Sequence, residues 1–204
     1  MNFLKEFHRS IFTRSTIMSM KTKWIDFLYH AATGSRTVRN VFTPIGAIFF
    51  GLLLLLFVVT AQMVDRRIGI VDPLPGRLHI MLSLPLFSLA TILIGWSVSH
   101  FLKARGTPVP VNPPPRLVTS GPYAYCRNPM LAGVFALLFG LGVLLESVSL
   151  VFIFTPLFIL LNVWELKAIE EPELAKRLGR EYVAYRERTP MFLPKVSAIR
   201  RGRR

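Results

Sequence analysis

The sequence predicts an all-α integral membrane protein: a helical bundle of four transmembrane helices, the last two forming a tight hairpin, followed by a cytoplasmic amphipathic helix. Of the 204 residues, 52% are hydrophobic and 18% are charged, and the mean hydropathy is +0.47. A soluble domain carries about 25% charged residues. The apolar residues are clustered in blocks of about 20 or more, the length that crosses a bilayer as a helix. The 25 Lys and Arg residues, against 11 Asp and Glu, lie between and after these blocks.

The first 42 residues form a basic segment before the first apolar block. Its early part alternates apolar residues with cations between Phe3 and Phe12, which suits either a helix lying on anionic lipid or a flexible basic tail. The sequence before Thr43 lacks the apolar core of about 7–15 residues that a cleavable signal peptide contains, and an Arg-rich transit peptide is a further alternative. We therefore divide the chain into this segment, residues 1–42, and a membrane domain, residues 43–204.

The apolar blocks predict four spans. Residues 43–63 and 79–102 are each long enough for one crossing and contain no Asp, Glu, Lys or Arg. Residues 130–164 are too long for one crossing, because about 30 Å of hydrocarbon takes about 20 helical residues. Glu146 and Ser147 interrupt this block, and a charge at mid-membrane depth is costly. We therefore predict a hairpin of two helices, residues 130–145 and 148–164.

The basic residues are unequally distributed about these spans. Four crossings place 22 Lys and Arg on one side of the membrane and three, Arg66, Arg67 and Arg77, on the other. Because basic loops stay in the cytoplasm, both termini are predicted to be cytoplasmic. The bilayer and its anionic headgroups are the expected partners of the basic termini, including the closing run from Arg200 to Arg204. No nucleic acid partner is expected.

The second loop, residues 103–129, is long and rich in proline. Five of the eight residues from Pro108 to Pro115 are prolines, which fix φ and remove hydrogen-bond donors, so the loop is predicted to be stiff and extended. A stiff loop of this length more often builds a site than fills space, although a proline-rich spacer is the alternative. The helix start at Pro129 offers free backbone N–H groups, which suit a carboxylate or a phosphate.

The last segment predicts an amphipathic helix over residues 165–188. The Glu170-Glu171-Pro172 run is typical of a helix start, and Pro190 and Pro194 end the pattern. An apolar and aromatic stripe recurs at helical spacing: Leu174, Leu178, Tyr182 and Tyr185. The opposite face is charged: Lys176, Arg177, Arg180, Glu181 and Arg188. On periodicity alone, the pattern favours a plain amphipathic helix on the membrane surface with its charges solvated.

Several signals of soluble enzymes are absent from the sequence. It contains no G-x-G-x-x-G, no P-loop and no H-E-x-x-H, and no serine stands in a nucleophile elbow. The four histidines are scattered, so a metal site has no support. The single cysteine, Cys126, is predicted to be a buried structural thiol, because Arg127 is its only neighbour that would lower its pKa.

Residues 100–195 nevertheless carry several motifs in one order: Gly106-Thr107-Pro108-Val109-Pro110, Leu117-Val118-Thr119-Ser120-Gly121-Pro122-Tyr123, Arg127-Asn128-Pro129-Met130, Glu170-Glu171-Pro172, Gly179-x-Glu181-Tyr182-x-x-Tyr185 and Pro190-x-x-x-Pro194. Together they resemble the isoprenylcysteine carboxyl methyltransferase and phospholipid methyltransferase superfamily. The resemblance covers about half of the chain and does not extend to residues 1–42. It implies a membrane enzyme that transfers a methyl group from S-adenosylmethionine to a lipid-like, isoprenoid or prenylcysteine-type acceptor at the cytoplasmic face. Its cofactor pocket would be roofed by the C-terminal helix.

The resemblance also implies which residues contact the cofactor: Pro115, Arg116, Leu117, Val118, Tyr123, Asn128, Pro129, Met130, Leu131 and Glu170. Tyr123 or Tyr182 would stack on adenine or face the sulfonium. Glu171 is the carboxylate expected to deprotonate an amine acceptor. Asn128 and Leu131 depart from the family, because many relatives have histidine and tyrosine at these positions.

Three function classes remain open at this point. The prenylcysteine branch places an arginine one turn before the glutamate pair, where this chain has only Lys167, a poorer clamp for a carboxylate. The acceptor of a methyltransferase is therefore open among a phospholipid amine, an isoprenoid and a small thiol. The alternatives are a sterol-reductase-like membrane reductase that binds NADPH and a catalytically silent membrane adaptor.

Overall fold

The computed structural model describes residues 22–70, 74–107, 109 and 112–193, and within these ranges all regular structure is helical. The described part of the first helix, α1, covers residues 22–33. Six further α-helices follow: α2 (Arg36–Ile68), α3 (Leu78–Lys103), α4 (Pro129–Leu144), α5 (Thr155–Glu165), α6 (Glu171–Leu178) and α7 (Arg180–Arg188). The predicted all-α class is confirmed. The predictions for residues 1–21, for Pro194 and for the closing arginine run fall outside the described residues.

Three helical stretches are long and apolar enough to cross a membrane: Arg39–Ile68, Leu78–Lys103 and Leu150–Leu178. The first extends beyond the predicted residues 43–63, and the second matches the predicted residues 79–102 within one residue at each end. Helix α4 is equally apolar but has 16 residues. At 1.5 Å per residue it is shorter than the hydrocarbon core. The fourth crossing therefore stays a prediction.

The predicted hairpin turn is present between α4 and the next helix. Helix α4 ends at Leu144, Glu146 adopts a positive φ of 53°, and helical structure resumes at residue 148. Asp65, at the end of α2, closes this turn: its carboxylate accepts hydrogen bonds from the Ser147 hydroxyl and, at 3.0 Å, from the backbone N–H of Ser149. A buried acidic side chain thus satisfies one free N–H group of the returning helix, and the Ser147 hydroxyl satisfies a second, that of Leu150.

Two π-helical segments, Leu150–Phe154 and Leu166–Glu170, make the returning helix continuous with α6. Each ends two residues before a proline, Pro156 and Pro172, whose missing N–H and bulky ring a wider turn accommodates. Residues 165–188 are helical apart from Gly179, but no helix begins at the Glu170-Glu171-Pro172 run, because α6 continues from α5 without a break. The break comes at Gly179, between α6 and α7, where φ is +61°.

The bundle is held together by an aromatic cluster around Phe158 of α5, whose side chain is fully buried. Phe50 and Phe57 of α2 and Phe135 of α4 place their rings 5.4–6.1 Å from the Phe158 ring. Rings at these separations and tilts contribute beyond their buried area. The cluster therefore fixes α2, α4 and α5 relative to one another, and the candidate site lies beyond it, where the loop before α4 meets α6 and α7.

Candidate functional site

A cavity of about 130 Å³ lies between the loop of residues 103–129 and helices α6 and α7. The loop and the terminal helices, which the sequence analysis singled out separately, thus form one site. Many of the residues predicted to contact a cofactor or acceptor line the cavity: Arg116, Leu117, Val118, Tyr123, Asn128, Glu170 and Glu171. These residues come from two chain segments, the loop and the start of α6, that are about 40 residues apart in the sequence.

Four residues implied by the resemblance do not line this cavity: Pro115, Pro129, Met130 and Leu131. Pro115 is exposed, and Pro129 is buried as the first residue of α4. Leu131 packs against the hydrophobic cluster of Phe158. These residues are close in sequence to residues of the cavity wall, but their side chains do not line the cavity.

The chain that follows α7 is hydrogen bonded to the start of α4. The backbone N–H of Arg127 donates to the Pro190 carbonyl at 2.9 Å, and that of Asn128 donates to the Met191 carbonyl at 3.1 Å. The Asn128 side-chain amide also donates to the Met191 carbonyl, at 3.4 Å. These bonds satisfy the two backbone N–H groups before α4 and hold the chain after α7 against the start of α4.

Tyr123 is buried at the cavity wall, with 5% of its surface exposed. Its ring packs edge-on against Phe101 at 5.1 Å, and its carbonyl accepts a 2.7 Å hydrogen bond from the Tyr185 hydroxyl. Burial raises the pKa of the Tyr123 phenol, and burial together with the nearby Glu171 raises the pKa of Tyr182 to about 12. Both phenols are therefore neutral at physiological pH and suit stacking or hydrogen bonding.

Two glutamates of the cavity wall are neutralised by arginines. Glu171 Oε1 lies 2.5 Å from Arg127 Nη1, and Glu171 Oε2 lies 3.8 Å from Arg186 Nη1. Glu173 Oε1 accepts a 2.8 Å hydrogen bond from Arg177 Nε, one turn further along α6. The contacts of Glu171 join α6 to the loop and to α7, whereas the Glu173–Arg177 pair lies within α6.

Glu165 and Glu170 also line the cavity, and within the described part of the chain neither makes a hydrogen bond or ion pair. The π segment Leu166–Glu170 separates them by five residues, the spacing that a π turn brings onto one face. Four glutamates and three arginines line the cavity in all.

Several residues of the cavity wall are missed or misplaced by the sequence pattern. Arg177 was assigned to the solvated face, but it pairs with Glu173 and its Nη1 donates to the Pro114 carbonyl at 3.4 Å. Glu165 was overlooked, because an α-helix would place it on a different face from Glu170. Leu28 of α1 also lines the cavity, although nothing in the sequence of residues 1–42 pointed to the site.

The apolar and aromatic stripe of the C-terminal segment has a different role from the one that its periodicity favoured. All of its members, Leu174, Leu178, Tyr182 and Tyr185, line the cavity. The interpretation as a plain helix on the membrane surface is therefore wrong. In the part of the chain that the structure describes, no three His, Cys, Asp or Glu residues are grouped so that they could hold a metal ion.

Two curated bacterial proteins are similar to part of this chain. The nickel-cobalt-cadmium resistance protein NccN of Alcaligenes xylosoxydans xylosoxydans is 37% identical over 84 residues, and the cobalt-zinc-cadmium resistance protein CzcN of Cupriavidus metallidurans is 34% identical over 84 residues. Each alignment covers 41% of this chain and 38% of the relative. The chain thus spans less than half the length of these relatives. No solved structure matches the chain.

The profile of the phospholipid methyltransferase family matches residues 78–181, just over half of the chain. The match runs from the start of α3 into α7 and includes the 103–129 loop and the four glutamates of the cavity wall. It confirms the resemblance that the motifs carry. With its long apolar helices and this match, the chain is an integral membrane protein, and it belongs to the phospholipid methyltransferase family.

Proposed function

We propose that the protein transfers a methyl group from S-adenosylmethionine to a lipid-like acceptor at the cytoplasmic face of a membrane. The charge of the cavity is the observation that carries this proposal. Four glutamates and three arginines line it, and two of the glutamates, Glu171 and Glu173, are paired with arginines. S-adenosylmethionine carries a sulfonium, an ammonium and a carboxylate, so its net charge is positive. The wall therefore offers carboxyl groups for the sulfonium and the ammonium, and guanidinium groups for the carboxylate.

The residues of the wall fit the parts of this cofactor. The Glu170 carboxylate, which makes no ion pair in the described structure, suits the methionyl ammonium or the ribose hydroxyls. The exposed Arg116 side chain suits the carboxylate, and the neutral rings of Tyr123 and Tyr182 suit adenine or the sulfonium. When bound, the cofactor supplies an electrophilic methyl group. These side chains orient it and exclude water, which is most of what an in-line methyl transfer requires.

The acceptor is proposed to approach from the bilayer. Glu165 ends α5, an apolar helix, and lies one turn closer to the membrane core than Glu170. An amine acceptor would have to lose a proton before it attacks the methyl group. Glu171 is already paired with Arg127, so Glu165 is the better placed base for this step. The acceptor class stays open among a phospholipid amine, an isoprenoid or prenylcysteine-type group and a thiol.

The proposed topology has four crossings, with α4 as the short third one, and both termini in the cytoplasm. The unequal distribution of the basic residues supports this orientation. It places the 103–129 loop, α7 and the cavity on the cytoplasmic side. Anionic headgroups would then contact the basic segments around the site.

The test is binding of S-adenosylmethionine to the purified protein in detergent, measured by calorimetry. Glu170→Gln removes the charge that would pair with the ammonium, and Tyr123→Ala removes a stacking surface, so each variant should weaken binding about tenfold or more. Glu181→Gln, on the exposed face of α7, is the matched control and should bind like the unaltered protein. Unchanged affinity in both cavity variants would contradict the assignment.

The same experiment with NADPH separates the methyltransferase from a reductase. NADPH carries several negative phosphate charges, and two of the three arginines that line the cavity are already paired with glutamates. We therefore expect no saturable NADPH binding. Binding of neither compound would favour the catalytically silent adaptor.

A further inference from the structure

Helix α1 presents one packed face to the rest of the protein. Ile25, Leu28 and Tyr29 are half-buried and Ala32 is buried, whereas Phe27 on the other side is half-exposed. The packed residues recur at spacings of three, one and three, which places them on one side of a helix. Leu28, at the centre of this face, lines the cavity. Helix α1 therefore supplies part of the cavity wall.

A single lysine of α6 attaches α1 to the opposite wall. Lys176 Nζ lies 2.8 Å from Asp26 Oδ1 and 4.6 Å from the centre of the Tyr29 ring. Asp26 and Tyr29 flank Leu28 on the same helix. The contact thus joins two walls of the cavity, one from α1 and one from the helix that carries Glu171 and Glu173.

This polar contact contributes little to the packing of α1, and a break between two helices lies next to it. The Lys176 and Asp26 side chains are 46% and 48% exposed, and pairs with such exposure contribute little and are screened by salt. Two non-helical residues, Gly34 and Ser35, separate α1 from the long helix α2. Rotation about this junction would move α1 without changing the packing of α2.

We propose that α1 is a lid on the cavity, with Gly34 and Ser35 as its hinge and the Asp26–Lys176 pair as its latch. Opening of the lid admits and releases the water-soluble ligand. The inference rests on the proposed function only for the identity of that ligand. Helix α1 lies outside residues 78–181, which match the family, so the lid is a feature of this chain beyond the matched segment.

The first test measures access to the cavity without any cofactor. A cysteine placed in the wall, Leu174→Cys, is labelled with a charged, water-soluble maleimide in the full-length protein at low salt. Adding Asp26→Lys makes the latch repulsive and should raise the labelling rate about two- to fivefold. The pair Asp26→Lys/Lys176→Asp restores opposite charges and should return the rate to its starting value. Native Cys126 is buried and adds little background.

Two controls separate the latch from general effects of charge. Glu187→Lys makes the same change of charge on an exposed residue of α7 and should leave the labelling rate unchanged. At about 1 M salt the Debye length falls to about 3 Å, so the difference between the Asp26→Lys variant and the unaltered latch should largely disappear. Val118→Cys, in the loop wall, serves as a second reporter. Equal labelling rates in all latch variants would overturn the lid.

The second test measures release of S-adenosylmethionine from the same variants. If the lid controls exchange, Asp26→Lys speeds release by a factor similar to that for labelling, and the charge swap reverses it. If no variant binds S-adenosylmethionine while labelling still follows the latch, the proposed function fails and the lid stands. If binding is normal and labelling ignores the latch, the lid fails and the proposed function stands.

Discussion

The Tyr185 hydroxyl donates a 2.7 Å hydrogen bond to the carbonyl oxygen of Tyr123, across 62 residues of sequence. Both side chains are buried, so water does not replace this bond when it is lost. The bond ties α7 to the loop before α4, directly at the cavity wall. It is one of the contacts that makes two distant motifs into a single site.

Removal of this hydroxyl should loosen the site. Tyr185→Phe leaves the buried Tyr123 carbonyl without its donor and should destabilise the folded protein by about 1 kcal/mol. Thermal unfolding in detergent measures the loss. Tyr125→Phe is the matched control, because the half-buried Tyr125 hydroxyl makes no hydrogen bond within the described residues. Equal stability of the two variants would show that the Tyr185 bond does not hold α7 in place.

The capping carboxylate of Asp65 should be important for the hairpin at the other end of the bundle. Asp65→Ala removes the acceptor for the Ser147 hydroxyl and the Ser149 N–H, and hydrogen bonds to a charged group contribute about 1.5–3 kcal/mol each. We expect a loss of about 2–3 kcal/mol in chemical unfolding. Asp65→Asn keeps one acceptor oxygen, so its stability should lie between that of the unaltered protein and that of the alanine variant. An alanine variant as stable as the asparagine variant would contradict this account of the turn.

Gly121 should not tolerate a side chain. Its φ is +59°, and a Cβ atom there would lie 2.2 Å from Nε2 of His100. Gly121→Ala therefore meets both backbone strain of about 1–2 kcal/mol and a steric clash. His100→Ala in the same chain removes the clash and should restore part of the stability, but not the part due to φ. Unfolding measurements on the single and double variants separate the cost of the steric clash from the cost of the backbone strain.

Gly95 provides the comparison for this prediction. It lies inside α3, and a Cβ atom there would meet nothing within 4 Å. Gly95→Ala should leave stability unchanged or raise it by up to about 1 kcal/mol. If Gly121→Ala behaves in the same way as Gly95→Ala, the close contact with His100 does not restrict the loop.

Cys126 should react slowly with thiol reagents. Its side chain is buried, with 6% exposed, and burial raises the pKa of the thiol. A higher pKa means less thiolate at neutral pH, so maleimide labelling should be more than about tenfold slower than in the unfolded protein and should rise as pH increases towards that pKa. Mass spectrometry after timed labelling measures both rates. Rapid labelling of the folded protein at pH 7 would contradict a buried thiol.

The membrane helices and the hairpin turn could be predicted because they depend on local composition. Apolar blocks specify α2 and α3, and Glu146 marks the turn since a charge inside the bilayer is costly. The ends of the spans were less predictable. Helix α2 begins at Arg36 and ends at Ile68, beyond the apolar block, because flanking polar residues continue the helix outside the hydrocarbon.

The two motifs that form the site could be predicted from the sequence, but the full set of residues that line the cavity could not. The order of the loop and C-terminal motifs indicated Tyr123 and Glu170, which both line the cavity. Periodicity misplaced Arg177 and omitted Glu165, since a helical period of 3.6 residues contains no information about a π turn. Leu28 reaches the cavity through packing of α1 on distant residues, and no local pattern reports such a contact.

The π-helical turn at Leu166–Glu170 sets the direction in which the side chains of α6 point around the helix axis. Deleting one residue there, for example Ala168, would convert the turn to an ordinary α-helical one and leave the apolar part of α5 unaltered. Each residue of an α-helix advances by about 100°. The acidic side chains beyond the deletion would therefore rotate away from the loop. A chain that keeps every one of its glutamates would then no longer present them to the cavity.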